Sequence, residues 1–148
     1  RRQAQSGGAL CIGNPNSTGR PSILDARSVS QFQVAANDLI LEVTELPPNV
    51  LGFFIVSQDF NILNTVGGGE GTLCVASTNI GRYSMFINVA SPNGEVSFAI
   101  DNTLIPLPSG SVSIAPGETF NFQFWHRDTS ATMVPTSNLS GAVTIPFE

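Results

Sequence analysis

Residues 120–128 read Phe-Asn-Phe-Gln-Phe-Trp-His-Arg-Asp and hold the only Trp and the only His of the 148-residue chain. Side chains two positions apart on a β-strand point to the same side, so Phe120, Phe122 and Phe124 share one face. Three phenylalanines in a row on one side of a strand are typical of a hydrophobic core, because each buries a large apolar area. This stretch therefore predicts a core strand.

Short apolar segments with the same two-residue alternation recur along the chain, separated by 14 Gly and 10 Pro. They lie at residues 39–43, 52–57, 83–89, 95–100, 111–114 and 142–147, with weaker ones near 22–26, 61–66 and 71–75. No segment shows the 3.6-residue period of a helix. The pattern predicts an all-β fold, a two-sheet antiparallel β-sandwich or jelly roll of about eight to ten short strands.

Residues 83–89 and 95–100 predict the clearest hairpin. Ser91-Pro92-Asn93-Gly94 lies between them, and Asn-Gly suits turn positions that need a positive φ. Alternation would place Tyr83, Met85, Ile87 and Val89 together on one side of the first arm.

Charge and composition exclude several functions. Only 11% of residues are charged, the formal net charge is −5, and all six basic residues are Arg. Nucleic-acid binding needs clustered Lys or Arg, and Arg1-Arg2 is the only basic cluster. No run approaches the roughly 18–20 apolar residues of a membrane span. We therefore expect neither nucleic-acid binding nor membrane insertion.

Cys11 and Cys74 are 63 positions apart and lack the spacing of a metal or redox motif. We expect one structural disulfide rather than two free thiols, which would contribute about 4 kcal/mol in the chain-entropy model. Disulfides form in oxidising compartments, so the sequence predicts an extracellular or cell-surface protein.

The chain is predicted to consist of an N-terminal arm, residues 1–10, and a single β-sandwich domain, residues 11–148. The arm is polar and Gly-rich, and we expect it to pair with an edge of its own sheet or with a neighbouring subunit. The final strand is a second candidate for donation to another copy. The predicted assembly residues are Arg1, Arg2, Gln3, Ala4 and Gln5 in the arm, and Val143, Ile145 and Phe147 in the final strand.

Patterns for catalysis or metal binding are incomplete. His126 and Asp128 lie two apart on one strand, but the chain has no Gly-x-Ser-x-Gly elbow to supply a nucleophile. Glu42 and Glu45 have no apolar pocket implied around them. Asp59 and Asn61 offer two oxygens to a calcium ion, which needs six to eight. We predict no catalytic residue, no metal site and no cofactor, with calcium left open.

Residues 67–71, Gly-Gly-Gly-Glu-Gly, lack the Lys-Ser/Thr of a phosphate-binding loop, so they predict a flexible loop. Trp125 and Arg127 project from the face opposite the phenylalanines. They are candidate ligand or interface contacts, as a platform for sugar stacking, or they fill the space under a covering loop. Two triplets, beginning at Asn16 and Asn138, match the N-glycosylation pattern.

Four groups of motifs occur in a specific order along almost the whole chain. They are Cys-Ile-Gly-Asn-Pro-Asn-Ser-Thr-Gly at 11–19; Ala-Asn-Asp-Leu at 36–39 with Leu-Pro-Pro at 46–48 and Gly-Phe-Phe at 52–54; the Gly-rich approach to Cys74; and Asn-Phe-Gln-Phe-Trp-His-Arg-Asp at 121–128 followed by Ser-Asn-Leu-Ser at 137–140. In these the chain resembles a family of largely uncharacterised, secreted bacterial β-sandwich domains. Family members tend to have another Cys near the C-terminus and Tyr or Phe in place of His126. The resemblance implies a secreted, stable, non-catalytic module.

Three function classes follow, and self-assembly ranks first. Soluble β-proteins usually protect sheet edges with Lys and other charges, and this chain has no Lys. We expect an extracellular structural subunit that forms a filament, fibre or surface layer with copies of itself, with a wider role in adhesion. The alternative is a non-catalytic polysaccharide- or surface-binding module of a larger secreted protein. An enzyme ranks third, and we expect His126→Phe to leave every property unchanged.

Overall fold

The computed structural model describes residues 5, 6 and 8–148. The predicted assembly residues Arg1, Arg2, Gln3 and Ala4 lie outside the described residues. The strands are β1 Gln5–Ser6, β2 Gly8–Cys11, β3 Ile23–Ser28, β4 Ile40–Thr44, β5 Leu51–Ser57, β6 Leu63–Asn64, β7 Thr72–Leu73, β8 Gly81–Arg82, β9 Asn88–Val89, β10 Val96–Ala99, β11 Ile105–Leu107, β12 Gly110–Val112, β13 Thr119–Thr129 and β14 Pro135–Pro146. Two single 3₁₀ turns occur at Val34–Ala36 and Val66–Gly68.

Two antiparallel sheets organise these strands. The smaller sheet has the order β1-β3-β4-β10, and the larger has the order β2-β14-β13-β5, with β8 and β9 both paired to β5. The pairs β6-β7 and β11-β12 form separate small ribbons. The predicted all-β, antiparallel, sandwich-like fold is confirmed. Its strands outnumber the eight to ten predicted because five of them have only two residues.

The main core fills the space between the two sheets. Phe120, Phe122 and Phe124 of β13 are all buried in it, as their alternation predicts. The smaller sheet contributes Leu41 and Val43 to the same core. Edge and tilted aromatic contacts tie it together, such as Phe54 to Phe124, whose ring centroids are 4.7 Å apart.

A second, smaller core lies on the outer face of the larger sheet. Residues 58–80 cross this face and place Leu73, Cys74 and Val75 against the sheet. We call residues 58–80 the cover segment. The predicted disulfide is confirmed: Cys74 is bonded to Cys11 of β2, with a Cα–Cα distance of 6.5 Å. The cover segment is therefore held to the sheet covalently as well as by packing.

Gln123 of β13 provides a polar attachment for the cover segment. Its side chain is fully buried on the outer face. Its Oε1 accepts a hydrogen bond from the Cys74 backbone N–H at 3.0 Å. Its Nε2 donates to the carbonyl oxygens of Thr72 at 2.9 Å and Ser140 at 2.7 Å. The amide thus forms hydrogen bonds with three backbone groups of the cover segment and β14, and buried polar groups need such partners.

The chain termini are built into the sheets of their own domain. In the arm, β1 pairs with β3 through Gln5 opposite Ser28, and β2 pairs with β14. β14 pairs with β13 on one side and, at residues 142–144, with β2 on the other. Val143, Ile145 and Phe147 point inward and are buried, as alternation predicts. These three side chains belong to the core of their own domain, and their predicted role in assembly stays a prediction.

The predicted hairpin is wrong. Residues 83–87 form a turn in which the Phe86 N–H donates to the Tyr83 carbonyl oxygen at 2.9 Å, and only Asn88–Val89 continues as a strand. β9 pairs with β5, and β10 pairs with β4 of the other sheet. The turn at Gly94 exists, with φ 75°, but it connects two sheets. Alternation misled here because the apolar residues after Tyr83 are exposed rather than buried.

Candidate functional site

A groove of about 430 Å³ opens on the outer face of the larger sheet, where the cover segment leaves the sheet exposed. We call it the outer groove. Its lining includes Phe53, Ile80, Arg82, Trp125, Arg127 and Ser137. The volume falls within the roughly 300–1,000 Å³ of small-ligand sites. The predicted pair Trp125 and Arg127 therefore does lie together in one concave surface.

The floor of the outer groove is an aromatic pair. Phe53 of β5 stands opposite Trp125 of β13 in the strand register, and their ring centroids are 5.1 Å apart. Both side chains are only partly buried. The Arg127 guanidinium carbon lies 5.3 Å from the Trp125 ring centroid, within range of a cation–π contact. This contact holds the Arg127 side chain beside the aromatic floor.

Two arginines flank this floor. Arg82 of β8 pairs with Ile55 of β5, which lies two residues from Phe53 and faces the same side of the sheet. Arg127 lies two residues from Trp125 on β13, on the opposite side of the Phe53–Trp125 pair. Each arginine is thus one row of same-face side chains away from that pair. Same-face rows are about 7 Å apart along a strand. Neither arginine forms an ion pair with a residue that the structure describes, whereas Arg20 and Arg27 pair with carboxylates elsewhere. No Asp or Glu is among the described residues that line the groove.

The Gly-rich loop forms one lip of the groove. Gly67 and Gly68 line it with φ of 63° and 76°, a conformation that favours glycine. Gly69 packs directly on Ser137 of β14, and the Glu70 N–H donates to the Ser137 carbonyl oxygen at 2.9 Å. The loop is therefore attached to the sheet at Gly69 and Glu70. It is not a phosphate-binding loop, since no helix of more than one turn follows it.

Sequence reasoning placed some groove residues and missed others. Trp125 and Arg127 were singled out in the sequence and lie in the groove. The missed residues are Phe53 and Arg82. Phe53 could have been found from the alternation of β5, where it faces away from the buried Phe54. The pairing of Arg82 beside Ile55 left no signal in the sequence, because β8 has only two residues.

His126 is a buried structural residue. Its Nδ1 lies 2.8 Å from the Arg127 carbonyl oxygen and must donate to it, which leaves Nε2 to accept from the Ser22 hydroxyl at 3.3 Å. Burial lowers the pKa of His126, partly opposed by the Arg127 carbonyl and the Asp128 carboxylate. Asp128 accepts from the backbone N–H groups of Ser17 and Thr129. Ser22 supplies a hydroxyl group beside His126 that the sequence did not reveal. Both Ser22 and His126 are almost completely buried.

The other polar candidates have local partners. Glu42 pairs with Arg27 at 2.8 Å and Glu45 with Arg20 at 3.4 Å. The Asp59 carboxylate accepts a hydrogen bond from Ser77. Among the described residues, no group of three or more His, Cys, Asp or Glu side chains is arranged to hold a metal ion.

Both N-glycosylation triplets have buried asparagines. Asn16 donates through Nδ2 to the Glu45 carbonyl oxygen at 2.8 Å, and its Oδ1 accepts from Thr18. Asn138 donates through Nδ2 to the Pro15 carbonyl oxygen at 3.1 Å. These amides hold loops together and are not presented to solvent.

Apolar side chains are exposed at one edge of the larger sheet. Met85 is 89% exposed and Val89 is 59% exposed. Phe86 and Ile87 lie between them in the chain, and Leu51 of β5 pairs with Val89. We call this set the apolar edge; its members are Leu51, Met85, Phe86, Ile87 and Val89. A smaller exposed set, Phe60, Ile62 and Leu63, lies on the cover segment.

No protein-family model, curated protein or solved structure shows significant similarity to the chain. The resemblance to secreted bacterial β-sandwich domains therefore remains a prediction. In the part of the chain that the structure describes, no helix has the length and hydropathy to cross a bilayer. The Cys11–Cys74 disulfide is compatible with an extracellular protein.

Proposed function

We propose that this protein is an extracellular structural subunit that associates with copies of itself through the apolar edge. The observation that carries the proposal is the exposure of Leu51, Met85, Phe86, Ile87 and Val89 side by side at a sheet edge. Contiguous apolar patches are uncommon on soluble monomers and mark interaction surfaces. Covering this one would remove five large apolar side chains from water.

The apolar edge lacks the charged residues that often protect a free sheet edge. Residues 83–94 and 46–58, which form and flank it, contain no charged residue. β9 pairs with β5 on one side and with no described strand on the other. Charges, especially Lys, usually prevent edge-to-edge pairing. A second copy is therefore the occupant best suited to this surface.

A second apolar surface favours an open chain of copies over a closed dimer. Leu51 begins β5, and Phe60, Ile62 and Leu63 follow the end of β5 at Ser57. The two surfaces are therefore attached at opposite ends of β5, a strand of seven residues. Contact between two different surfaces, repeated from copy to copy, produces a filament.

The test is the mass of the protein in solution as a function of concentration, with negative-stain electron microscopy of the same samples. We expect particles far above 15.6 kDa that grow with concentration. Val89→Lys places a charge on the apolar edge and should shift the population towards monomer.

Val29→Lys is the matched control, because Val29 is 60% exposed and lies outside the apolar edge. It should assemble as the wild type does. A wild-type protein that stays monomeric when concentrated would contradict the proposal, as would equal assembly of the two variants.

A second candidate function is favoured by the outer groove. The sequence left open a non-catalytic polysaccharide-binding module, and the groove combines an aromatic floor with two unpaired arginines. The chemistry of this groove narrows the class of ligand.

A further inference from the structure

We propose that the outer groove binds the carboxylated sugar residues of an acidic polysaccharide. The proposal develops the binding-module alternative and is independent of self-association through the apolar edge. It rests on three observations: the charge of the groove, the aromatic floor and the pairing state of the strands beneath it.

The groove is a positive site on a negative protein. The formal net charge of the chain is −5, yet the two groove arginines lack carboxylate partners among the described residues. Guanidinium groups donate two parallel hydrogen bonds to a carboxylate. The rest of the acidic surface would repel a polyanion, so an anionic ligand is directed to Arg82 and Arg127.

The aromatic floor lies between these two charges. A pyranose ring presents apolar C–H groups on its faces, which pack against aromatic rings such as Phe53 and Trp125. Its hydroxyl groups match the Ser137 hydroxyl and the backbone groups of the Gly-rich lip. A carboxylate on the ring would then lie within the rows occupied by the arginines.

The strands under the groove argue against an acidic peptide. An extended peptide usually binds by adding a strand to a free sheet edge. The floor residues Phe53 and Trp125 belong to β5 and β13, which are interior strands of the larger sheet. Recognition at the floor therefore depends on side chains and on the lip. The floor of the groove has no free strand edge with which to hold a peptide in register.

Binding of three probes to the whole protein tests the proposal: polygalacturonate, neutral dextran and poly-L-glutamate, measured by affinity electrophoresis and titration calorimetry. We expect polygalacturonate to bind, to bind more tightly than either other probe, and to bind less tightly at higher salt. The double variant R82Q/R127Q should bind polygalacturonate at least about tenfold more weakly, because its charge-assisted hydrogen bonds are lost.

R20Q/R27Q is the matched control, since it also removes two arginines and changes the net charge from −5 to −7, as does R82Q/R127Q. Its affinity should stay within about twofold of wild type. All four arginines are exposed, and thermal unfolding would verify that both variants are folded. No binding of polygalacturonate, equal binding of poly-L-glutamate, equal losses in the two variants, or no loss in R82Q/R127Q would each overturn the proposal.

Discussion

The two faces of the larger sheet are buried by different means. The inner face contributes Phe120, Phe122 and Phe124 to a core in which apolar side chains of both sheets meet. The outer face carries Gln123 and Trp125 on the same strand, and a loop-rich segment covers only part of it. Hydrophobic packing suffices for the first face, whereas the second also depends on a disulfide and on the hydrogen bonds of Gln123.

This difference explains where a ligand groove can form. The inner face of β13 is filled by apolar side chains of the main core, and protein interiors are packed as densely as organic crystals. The cover segment leaves the side chains of Phe53, Trp125 and Arg127 partly accessible on the outer face. The groove therefore occupies the side of β13 that the core does not use.

Truncation of one aromatic ring on each face should show the largest contrast. Phe124→Ala should lower the free energy of unfolding by about 3–5 kcal/mol, because it removes a fully buried ring and leaves a cavity. Phe53→Ala should cost clearly less, since Phe53 is partly exposed. Chemical denaturation of both variants measures the difference. Equal losses would show that the outer face is packed as tightly as the inner one.

Removal of the disulfide should have the next largest effect. Cys11→Ser with Cys74→Ser should lower the free energy of unfolding by about 2–4 kcal/mol, since the unfolded chain regains the freedom of a long loop. Limited proteolysis should also find new cleavage sites within residues 58–80, while the inner core stays protected. Unchanged protease resistance of this segment in the variant would contradict the conclusion that the disulfide holds the cover segment to the sheet.

Gln123→Met keeps most of the side-chain volume but removes the hydrogen bonds to Cys74, Thr72 and Ser140. We expect a loss of about 2–3 kcal/mol, because buried backbone groups are left unpaired. The Cys74 amide proton should exchange faster than in wild type, measured by hydrogen exchange. Asn121→Leu is the control with a single lost bond, to the Asp59 carbonyl oxygen, and should cost less. Equal costs would argue against Gln123 as the principal polar attachment.

The same contrast decides what the sequence could reveal. The inner face of β13 was predicted because period-two alternation places three large aromatic rings, those of Phe120, Phe122 and Phe124, on one side of the strand. The disulfide was predicted from cysteine spacing and composition. The outer groove was predicted only through Trp125 and Arg127, since Phe53 and Arg82 join them through tertiary pairing of distant strands. Residues 83–89 alternate as a core strand does but lie at the edge, and alternation carries no information on which side faces water.

The smallest effect is expected at His126, where the inner core meets the strand end. His126→Phe should cost about 1 kcal/mol, because the buried Ser22 hydroxyl loses its acceptor. The sequence alone predicted no change in any property, and this measurement decides between the two expectations. The double variant H126F/S22A removes both hydrogen-bonding groups and should recover most of the loss. Failure of the double variant to recover stability would show that the imidazole contributes through packing or through its hydrogen bond to the Arg127 carbonyl oxygen.

The pH dependence of stability separates this role from catalysis. Burial lowers the pKa of His126 in the folded protein, whereas in the unfolded chain it titrates near its ordinary value of 6.5. The unfolded state therefore binds the proton more readily than the folded state does. The contribution of His126 to the free energy of unfolding is complete above pH 6.5. That contribution should decline as the pH falls from 6.5 towards the folded-state pKa. H126F/S22A should lack this decline, and an identical pH profile in wild type and variant would contradict the assignment of a neutral, buried His126.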